Sequence, residues 1–596
     1  MKYFFKTSTP FHSILAFFVI LFLYSTSFSQ DQKSITIKWS EPLQQEVNGI
    51  VTSLPNFEGQ IYAEGEIYYQ FIEEVAPKYD ANLTLVDVQT GSATEKEIAY
   101  LKNNNISIPT QAKWKAKVTN GGKKRLLLFS IVPYIQKDGK IQRITSFTFN
   151  QQQIATFSAN KVKSFASESV LKPGSGEWFK IGVTQDGIYK ISKQFLAQLG
   201  VDVNTINPQH INIYGNGDGV LPESNSKPKT DDLALNAIFV AGESDGSFDE
   251  NDYILFYAKG PHRWDYNSST NLFENKRNIY SDLSYYFINI NAGVAPSRVQ
   301  NIASSPATPT HTVVSYSYRE VHETDVKSLT KSGQRWYGEE FDAQLAQTFS
   351  FPIPNPVVGA ASTATISMAS NSTSPSYGSL TYTVNGTQIA NFAVPSNGQG
   401  YYGRAEGQYN FNNSNSTIQL AINFQRNNPS VIAYLDKIEI NSRRELVFWD
   451  NQFSFRDLAS VGAGNIADFS IQNFPTNGFV WDVTDRKHPK LVQGTLSGST
   501  YNFQAATDSL NEYVASNGSN FYEPVFIERV NNQNLHALAQ VDYLIVTPPD
   551  FMSQANRLAD LHRNNGLTVH VVNINTIYNE FSSGGKDPGA IRQFAK

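Results

Sequence analysis

The sequence predicts a multidomain, mainly β protein that continues into the beginning of an α/β domain. Short runs of β-branched and aromatic residues, separated by Gly, Asn, Asp and Pro turns, fill the chain from residue 35 to about residue 540. Residues 541–596 instead follow the order strand, helix, strand, helix, which begins a parallel sheet with crossover helices. A length of 596 residues corresponds to about four domains.

The composition excludes several classes of function. The formal charge is −5 and no basic run is present, so nucleic acid is not an expected partner. There is no cysteine anywhere in the sequence. Disulfides, thiolate zinc sites and a cysteine nucleophile are therefore excluded within these 596 residues.

Residues 1–29 have the three parts of a secretory signal peptide. Lys2 and Lys6 precede an apolar stretch at residues 14–24, and small residues lead to a cleavage position before Gln30. An uncleaved membrane anchor is the alternative, but an apolar stretch of about 11 residues is short of the roughly 20 that span a bilayer. We therefore expect an exported protein whose mature chain starts at Gln30.

Residues 30–172 are expected to form the first β-rich domain. Its clearest feature is a hairpin with strands at 126–135 and 141–149, because the Asp-Gly pair at 138–139 suits a type I′ turn. Residues 173–176 (PGSG) have the composition of a linker, which predicts a domain boundary near residue 173.

Residues 173–333 are predicted to form a second β-rich domain with one short helix. Strands at 178–183 and 188–191 are expected to pair as a hairpin around a second Asp-Gly turn. Ser192 then has the position and type of a helix cap, and Gly200 ends this short helix.

Residues 334–445 are low in charge and rich in Ser, Thr, Asn and Gly, and their strands favour a β-sandwich. In the strand at 431–440, four apolar residues of one parity are expected to share a face: Ile432, Tyr434, Ile438 and Ile440. A further β-rich segment at 446–540 leads into the α/β order.

Residues 541–596 are expected to be the incomplete start of an α/β domain. After the first strand, Asp550 is expected to cap a helix at 551–565. A second strand follows at 567–574, and Asp587 with the proline after it opens another helix. Two parallel strands cannot bury both of their faces alone, so we expect this sequence to be the front part of a longer protein.

One loop contains two patterns that are typical of functional sites. Residues 242–246 match the G-x-S-x-G nucleophile elbow, but a strand follows instead of a helix, so Ser244 is not expected to be a nucleophile. The same loop carries Asp245, Asp249 and Asp252, whose oxygens make it a weak candidate for calcium in an exported protein. Their spacing is not that of an EF-hand, and a solvated acidic loop is the alternative.

The histidines and the aromatic residues give no clear site. The nine histidines form no H-E-x-x-H motif, and we expect His536 to make a hydrogen bond between segments. An aromatic cluster at 256–266 either binds sugar by ring stacking or packs in a core; its rings include Phe256, Tyr257, Trp264 and Tyr266.

The stretches 577–584 (IYNEFSSG) and 587–592 (DPGAIR) resemble the beginning of the gingipain-type, family C25 cysteine peptidase domain. With the β-rich region before them, they make the chain similar to the sortase members of that family in type IX secretion. The resemblance implies a caspase-like α/β catalytic domain with a Cys-His dyad and an acyl-enzyme. In the family the dyad lies farther along the chain, and we assign no catalytic residue here.

The resemblance also implies partners and a location. Sortases of this kind remove C-terminal signal domains from secreted cargo and attach the cargo to surface lipopolysaccharide. We therefore expect cargo, outer-membrane secretion components and lipopolysaccharide as partners, at the cell surface of a Gram-negative bacterium. The 596-residue chain itself is expected to be inactive. The alternative is a non-enzymatic cell-surface protein that binds glycan or protein.

Overall fold

The computed structural model describes residues 30–596 apart from short gaps, which are residues 48–49, 64–65, 76–78, 105, 122–123, 156–165, 332, 334 and 399–400. The predicted signal peptide at residues 1–29 lies outside the described residues. The chain divides into two compact units, Met1–Lys163 and Ser164–Lys596. Strands make up 48% of the structure and helices 11%, which confirms the mainly β prediction.

Within the described residues, the N-terminal unit contains three sheets and one helix. Its elements are β1 (Gln30–Thr36), β2 (Leu43–Val47), β3 (Ile50–Leu54), β4 (Gln60–Ala63), β5 (Glu66–Val75), β6 (Tyr79–Ser92), α1 (Glu95–Asn103), β7 (Trp114–Gly121), β8 (Lys124–Ile131), β9 (Tyr134–Lys137) and β10 (Lys140–Ala155). The sheets are β1-β10-β6 with β9 beside β10, β4-β5-β8-β7, and the hairpin β2-β3.

The predicted type I′ turn of the N-terminal unit is confirmed, but the strand predicted at 126–135 is divided into β8 and β9, and only β9 pairs with β10. Lys137 pairs with Lys140 across the turn, and Asp138 and Gly139 have φ values of 51° and 73°. Positive φ at both central residues defines this turn type. The sequence analysis missed α1, although Thr94 and Glu97 form a capping box that marks its beginning.

The C-terminal unit contains all remaining elements. They are β11 (Glu177–Val183), β12 (Gly187–Ser192), α2 (Lys193–Gln198), β13 (Ile211–Tyr214), β14 (Leu235–Asn236), β15 (Ile238–Ala241), β16 (Tyr253–Ala258), β17 (Arg263–Asn267), β18 (Leu272–Lys276), β19 (Ser284–Ile290), β20 (Gln300–Ala303), β21 (His311–Val313), β22 (Ser315–Glu323), β23 (Glu340–Phe341), β24 (Ala346–Pro352), β25 (Ala360–Ser370), β26 (Gly378–Val384), β27 (Thr387–Ala393), β28 (Gly403–Asn413), β29 (Thr417–Arg426), β30 (Ala433–Glu445), β31 (Gln452–Phe455), β32 (Ile466–Ile471), β33 (Phe479–Asp482), β34 (Lys490–Gln493), β35 (Thr495–Ser497), β36 (Thr500–Ala506), β37 (Tyr513–Ser516), β38 (Val525–Val530), β39 (Tyr543–Thr547), α3 (Met552–Asn564), β40 (Val569–Asn573), α4 (Ile574–Phe581) and α5 (Pro588–Phe594).

Strands that are distant in sequence share sheets throughout the C-terminal unit. One sheet has the order β14-β13-β19-β11-β38, so it joins strands that lie 340 or more residues apart. Two further sheets, β20-β34-β33-β37-β31 and β21-β32-β36-β35, combine strands from before and after the sandwich. Residues 173–176, predicted as a linker, lie inside this unit, where the Ser175 carbonyl accepts hydrogen bonds from Asn289 and Asn291.

The predicted hairpin at 178–191 is wrong. β11 pairs with β19 and β38, whereas β12 pairs with β16 in a different sheet. Asp186 does not make a tight turn, because its carboxylate accepts from the Gly260 backbone N–H at 2.8 Å and pairs with Lys259 at 2.6 Å. The cap on α2 is confirmed: Ser192 accepts from the Phe195 N–H at 3.2 Å.

The sandwich consists of two sheets, β22-β30-β25-β28 with β23 beside β30, and β24-β29-β26-β27. The expected common face at 432–440 is wrong, because a β-bulge at Asp436 interrupts β30. Leu435 pairs with Met368 and Lys437 with Ser367, so the parity of the inward side chains changes at this residue. Ile438 therefore enters the sandwich core, whereas Tyr434 packs in a separate cluster with Tyr337.

The α/β order at the end of the chain is confirmed with one addition. β39 and β40 pair in parallel, α3 lies between them, and Gly566 ends the α3 segment with φ 86°. A short helix that the sequence analysis missed, α4, follows β40 directly and precedes α5. Asp550 does not cap α3, because it lies within a 3-10 turn at Pro549–Phe551 and the α3 cap has no side-chain hydrogen bond. Within the described residues, no helix has the length and apolar character needed to cross a membrane.

We predict that Phe129→Ala destabilises the N-terminal unit strongly. The Phe129 ring is fully buried and stacks on Phe147 at 5.1 Å, so its removal leaves a cavity and should lower the free energy of unfolding by about 3 kcal/mol or more. Ile72→Ala on neighbouring β5, where the side chain is 58% exposed, is the control and should change it by less than about 0.5 kcal/mol. Urea denaturation of the two variants measures both values, and equal effects would contradict the assignment of this core.

Candidate functional site

The residues that resemble a peptidase motif lie where α4 and α5 dock on the β-rich part of the C-terminal unit. α4 buries one face that carries Ile577, Glu580 and Phe581 at helical spacing. Ile577, Phe581 and Ala590 of α5 form an apolar cluster with Leu221, which comes from the loop between β13 and β14. The docked surface is therefore apolar, with a carboxylate in its middle.

The Glu580 carboxylate is fully buried, and it accepts hydrogen bonds from one segment, residues 533–536. It accepts from the Leu535 N–H at 2.8 Å and from the Gln533 side-chain amide at 2.8 Å. His536 Nδ1 lies 2.6 Å from the second carboxylate oxygen, and the imidazole stacks on the Phe581 ring. The prediction that His536 makes a hydrogen bond between segments is confirmed.

His536 carries a positive charge at neutral pH in this environment. Burial by itself lowers the pKa of the imidazole, but Asp231 and Glu580 outweigh it, and Asp232 adds to their effect, so the pKa rises to about 9. Asp231 lies on the other side of the ring, 3.8 Å from Nε2. The imidazolium therefore joins the loop before β14 to α4 through two carboxylates.

Lys180 on β11 makes the second polar contact with the docked helices. Its ammonium donates to the Gly584 carbonyl at 2.8 Å and to the Asn579 side chain at 3.3 Å, and it lies over the Tyr285 ring. Burial lowers its pKa to about 8. Gly584 has φ 83°, and a Cβ there would lie 2.6 Å from the Lys180 side chain, so this position requires glycine.

Asp587 both caps α5 and holds the loop that it docks on. One carboxylate oxygen accepts from the Gly589 N–H at 2.7 Å, as predicted, and the other accepts from the Leu221 N–H at 2.7 Å. Arg592 on the same helix donates to the carbonyls of Pro222 and Glu223. Glu580, Asp587 and Arg592 therefore attach the α/β segment to the rest of the C-terminal unit.

Sequence reasoning assigned no role to Glu580 or Lys180. A signal for Glu580 was present, because a carboxylate between Ile577 and Phe581 on an apolar helix face needs a buried partner. No comparable signal marks Lys180, since its partners come from about 400 residues away in the sequence.

In the acidic loop between β15 and β16, two of the three candidate calcium ligands, Asp245 and Asp252, accept hydrogen bonds from within the loop. Asp245 accepts from the Ser247 N–H and Asp252 from the Asp249 N–H, which are local turn contacts. Among the residues that the structure describes, no three His, Cys, Asp or Glu side chains are placed to hold a metal ion. Ser244 lies in a 3-10 turn followed by β16, so the helix that a nucleophile elbow needs is missing there.

The aromatic cluster separates into two groups. Phe256 and Tyr257 are buried in β16, so these two rings pack in a core and do not bind sugar by stacking. Trp264 and Tyr266 lie on the hairpin β17-β18 and line a cavity of about 710 Å³, with Trp264 half-buried and Tyr266 exposed. Within this aromatic cluster, Trp264 and Tyr266 are therefore the rings that line the cavity.

The comparisons with known proteins agree with this fold and this segment. Residues 536–596 match the family model described as Peptidase family C25. These residues contain His536, Glu580 and Asp587, which make the docking contacts described above. The resemblance of this segment to gingipain-type C25 peptidases is therefore confirmed.

The chain is similar to PorU from Porphyromonas gingivalis, whose crystal structure is that of a dimeric latent form. The identity is 27% and the TM-score 0.63, and the match covers 72% of this chain but 40% of that one. This chain thus spans less than half of PorU. No curated protein matches the sequence.

Carbohydrate-binding modules match much more weakly. A CBM36 domain of a xylanase from the hindgut metagenome of Trinervitermes trinervoides has 12% identity and a TM-score of 0.15, covering 21% of this chain and 96% of that one. A family 35 module from Clostridium thermocellum has 12% identity and a TM-score of 0.14, covering 22% and 98%. Neither likeness carries an argument.

We predict that Asp587→Ala loosens the docked helices, because it removes the α5 cap and the contact with Leu221. The free energy of unfolding should fall by about 2 kcal/mol. Asp550→Ala is the matched control, since Asp550 is exposed in the 3-10 turn before α3 and caps no helix. Hydrogen exchange of residues 570–596 should rise only in the first variant, and an equal rise in both would contradict the docking role.

We also predict a pH dependence that belongs to His536. Its pKa in the folded protein is above the unfolded value of 6.5, so its contribution is complete below pH 6.5 and disappears as pH rises through about 9. The free energy of unfolding of the parent relative to His536→Gln should therefore decrease by about 2 to 3 kcal/mol from pH 6 to pH 9.5.

The matched control for this pH dependence is His488→Gln. His488 also lies beside a carboxylate, Asp485 at 2.9 Å, but its side chain is 58% exposed. An exposed pair contributes less than about 1 kcal/mol, so this variant should follow the parent at every pH. A parent and a His536→Gln protein with parallel stability curves would contradict the prediction.

Proposed function

We propose that this chain is the N-terminal part of a gingipain-like cysteine peptidase that works as a sortase. The observation that carries the proposal is that residues 536–596, which match the C25 family model, dock on the β-rich part of the C-terminal unit through their motif residues. The similarity to PorU over 72% of the chain supports the same reading of the β-rich part.

In the proposed enzyme, a cysteine thiolate attacks the carbonyl before the C-terminal signal domain of a cargo protein, and a histidine protonates the leaving amine. An amine of surface lipopolysaccharide then attacks the thioester and releases the thiolate. These 596 residues contain no cysteine, so their role is to orient the first strands and helices of the catalytic domain. Cargo, outer-membrane secretion components and lipopolysaccharide are the proposed partners.

The proposed location is the cell surface of a Gram-negative bacterium, reached by cleavage of residues 1–29. Exported proteins are often stabilised by disulfides, but this sequence has no cysteine. Its buried apolar and aromatic cores stabilise the fold instead. The second candidate function is a non-enzymatic surface protein that binds glycan, which the ring-lined cavity at Trp264 and Tyr266 favours.

The test uses the full-length gene product and a cargo protein with its C-terminal signal domain. We expect cleavage of the signal domain, loss of cleavage after treatment with iodoacetamide, and no cleavage by the 596-residue chain alone. In the host, deletion of the gene should leave cargo uncleaved and without lipopolysaccharide. Normal cargo processing in the deletion strain, or cleavage that persists after iodoacetamide, would sink the peptidase proposal and leave the surface-binding candidate.

A further inference from the structure

A cavity of about 590 Å³ lies on the outer face of the sandwich sheet β22-β30-β25-β28. Ile438 on β30 points into the sandwich core, and because side chains alternate along a strand, Lys437 and Glu439 point away from it. Both line the cavity, and so do residues of the hairpin β17-β18, where the Asn275 N–H donates to the Glu439 carboxylate at 2.8 Å. We call this space the sheet cavity. Its floor is a polar sheet face, and the hairpin forms one of its walls.

Carboxylates are in excess in the sheet cavity. Seven Asp and Glu side chains line it, against six Lys and Arg side chains. Two of the carboxylates, those of Glu323 and Glu406, make no ion pair with a described residue. The cation that is left over, Lys227, is exposed on the loop between β13 and β14. The other charged side chains form five ion pairs: Arg263 with Asp265, Lys276 with Glu274, Arg277 with Asp325, Arg335 with Asp436, and Lys437 with Glu439.

Glu323 and Glu406 lie at opposite ends of one row of side chains that crosses the sheet. Glu323 on β22 pairs in register with Lys437, Lys437 pairs with Ser367, and Ser367 pairs with Glu406 on β28. Because neighbouring strands are about 4.8 Å apart, these two positions are about 14 Å apart. In an extended polypeptide, side chains four residues apart lie on the same side and are separated by about 13 Å. The two carboxylates therefore match a pair of cationic side chains at this spacing.

Two groups in the floor of the sheet cavity would be stabilised by a ligand. Burial raises the pKa of the Glu323 carboxyl to about 7, because no ion pair compensates for the lost hydration. In the next row, Thr365 pairs in register with Glu439 and Gln408, is only 6% exposed, and lines the cavity. Within the described residues, neither the Thr365 hydroxyl nor the Gln408 amide makes a hydrogen bond. A buried hydroxyl normally has a partner, so this one is a place for a hydrogen-bonding ligand.

Trp336 adds an aromatic surface to the sheet cavity. Its side chain is 39% exposed and lines the cavity beside Arg335, which is held by its ion pair with Asp436. An exposed indole ring attracts an ammonium or guanidinium group and packs against the aliphatic stem of a long basic side chain.

We propose that the sheet cavity binds a basic segment of a partner polypeptide. The segment is extended, and two of its Lys or Arg side chains, four residues apart, reach Glu323 and Glu406. Its backbone N–H and C=O groups bond to the Thr365 hydroxyl and the Gln408 amide, which together supply an acceptor and a donor. The proposal concerns residues of this chain alone and does not depend on the peptidase function.

Three other ligands fit the sheet cavity less well. A metal ion does not fit, because no three acidic or histidine side chains of the described residues are placed to hold one. A polyamine carries spaced positive charges, but it has no carbonyl oxygen for the Gln408 amide to bond. A neutral glycan brings no cation to Glu323 or Glu406.

The test measures binding by calorimetry to the full-length gene product at pH 8, where Glu323 is mostly ionised. Treatment with iodoacetamide beforehand prevents cleavage of the probes. The first probe is the capped peptide Arg-Gly-Ser-Gly-Arg, the second has the same composition with its two arginines adjacent, and the third has citrulline in place of both arginines. We expect the first peptide to bind, with an affinity that falls as salt rises. The second should bind several-fold more weakly, and the third, which lacks the charges, should not bind.

Variants locate the binding in the sheet cavity. Glu323→Gln with Glu406→Gln should weaken binding of the first peptide about tenfold or more, and Thr365→Val should weaken it several-fold. The matched control is Glu250→Gln with Glu523→Gln, which removes the same charge from two exposed residues that do not line the cavity. Thermal unfolding checks that each variant folds like the parent.

Four results would overturn the proposal: no binding of the first peptide, equal binding of the adjacent-arginine or citrulline peptide, tighter binding of spermine or maltotetraose than of the first peptide, or equal weakening by the control pair. The comparison of the peptides uses the parent protein, so it decides the matter even if a variant does not fold. Equal weakening by the control pair would mean diffuse attraction to an acidic surface.

Discussion

The buried carboxylate of Glu580 is the contact on which the α/β segment depends. An unpaired carboxylate in such a place would cost several kcal/mol, and this one is satisfied by two backbone N–H groups, a side-chain amide and an imidazolium. All these donors lie at 533–536, in the segment that leads to β39. The segment that leads to β39 is thus held in place by α4, although α4 comes after both strands in the sequence.

The β-rich part completes the core that the α/β segment lacks. Two parallel strands bury little by themselves, and the cluster around Ile577 and Phe581 includes Leu221 from the loop after β13. Asp587 and Arg592 bind the backbone of the same loop, so apolar and polar contacts act on one surface. The position of the first parallel strands is therefore set by the β-rich part of the C-terminal unit.

Local chemistry explains what the sequence could predict. The Asp138-Gly139 turn, the Ser192 cap and the Asp587 cap each depend on residues within a few positions, and each is found. Gly187 also follows an aspartate, but the Asp186 carboxylate binds Lys259 and the Gly260 N–H instead. The strands on either side, β11 and β12, belong to different sheets. The prediction of a common face at 432–440 is wrong for a related reason. The bulge at Asp436 depends on the pairing of β30 with β25, which lies 66 or more positions earlier.

Site residues were less predictable than elements because their partners are remote. The sequence marks Trp264 and Tyr266 as part of an aromatic cluster, but nothing near them in the sequence indicates that Glu512 lines the same cavity. Strands from before and after the sandwich share sheets, and this topology brings residues 259–266 and residues 483–512, which include Glu512, to the same cavity. A buried charge network must also neutralise itself, because unpaired charge in the interior is too costly, and Glu512 meets this condition by pairing with Lys259 at 3.0 Å and Arg456 at 2.7 Å.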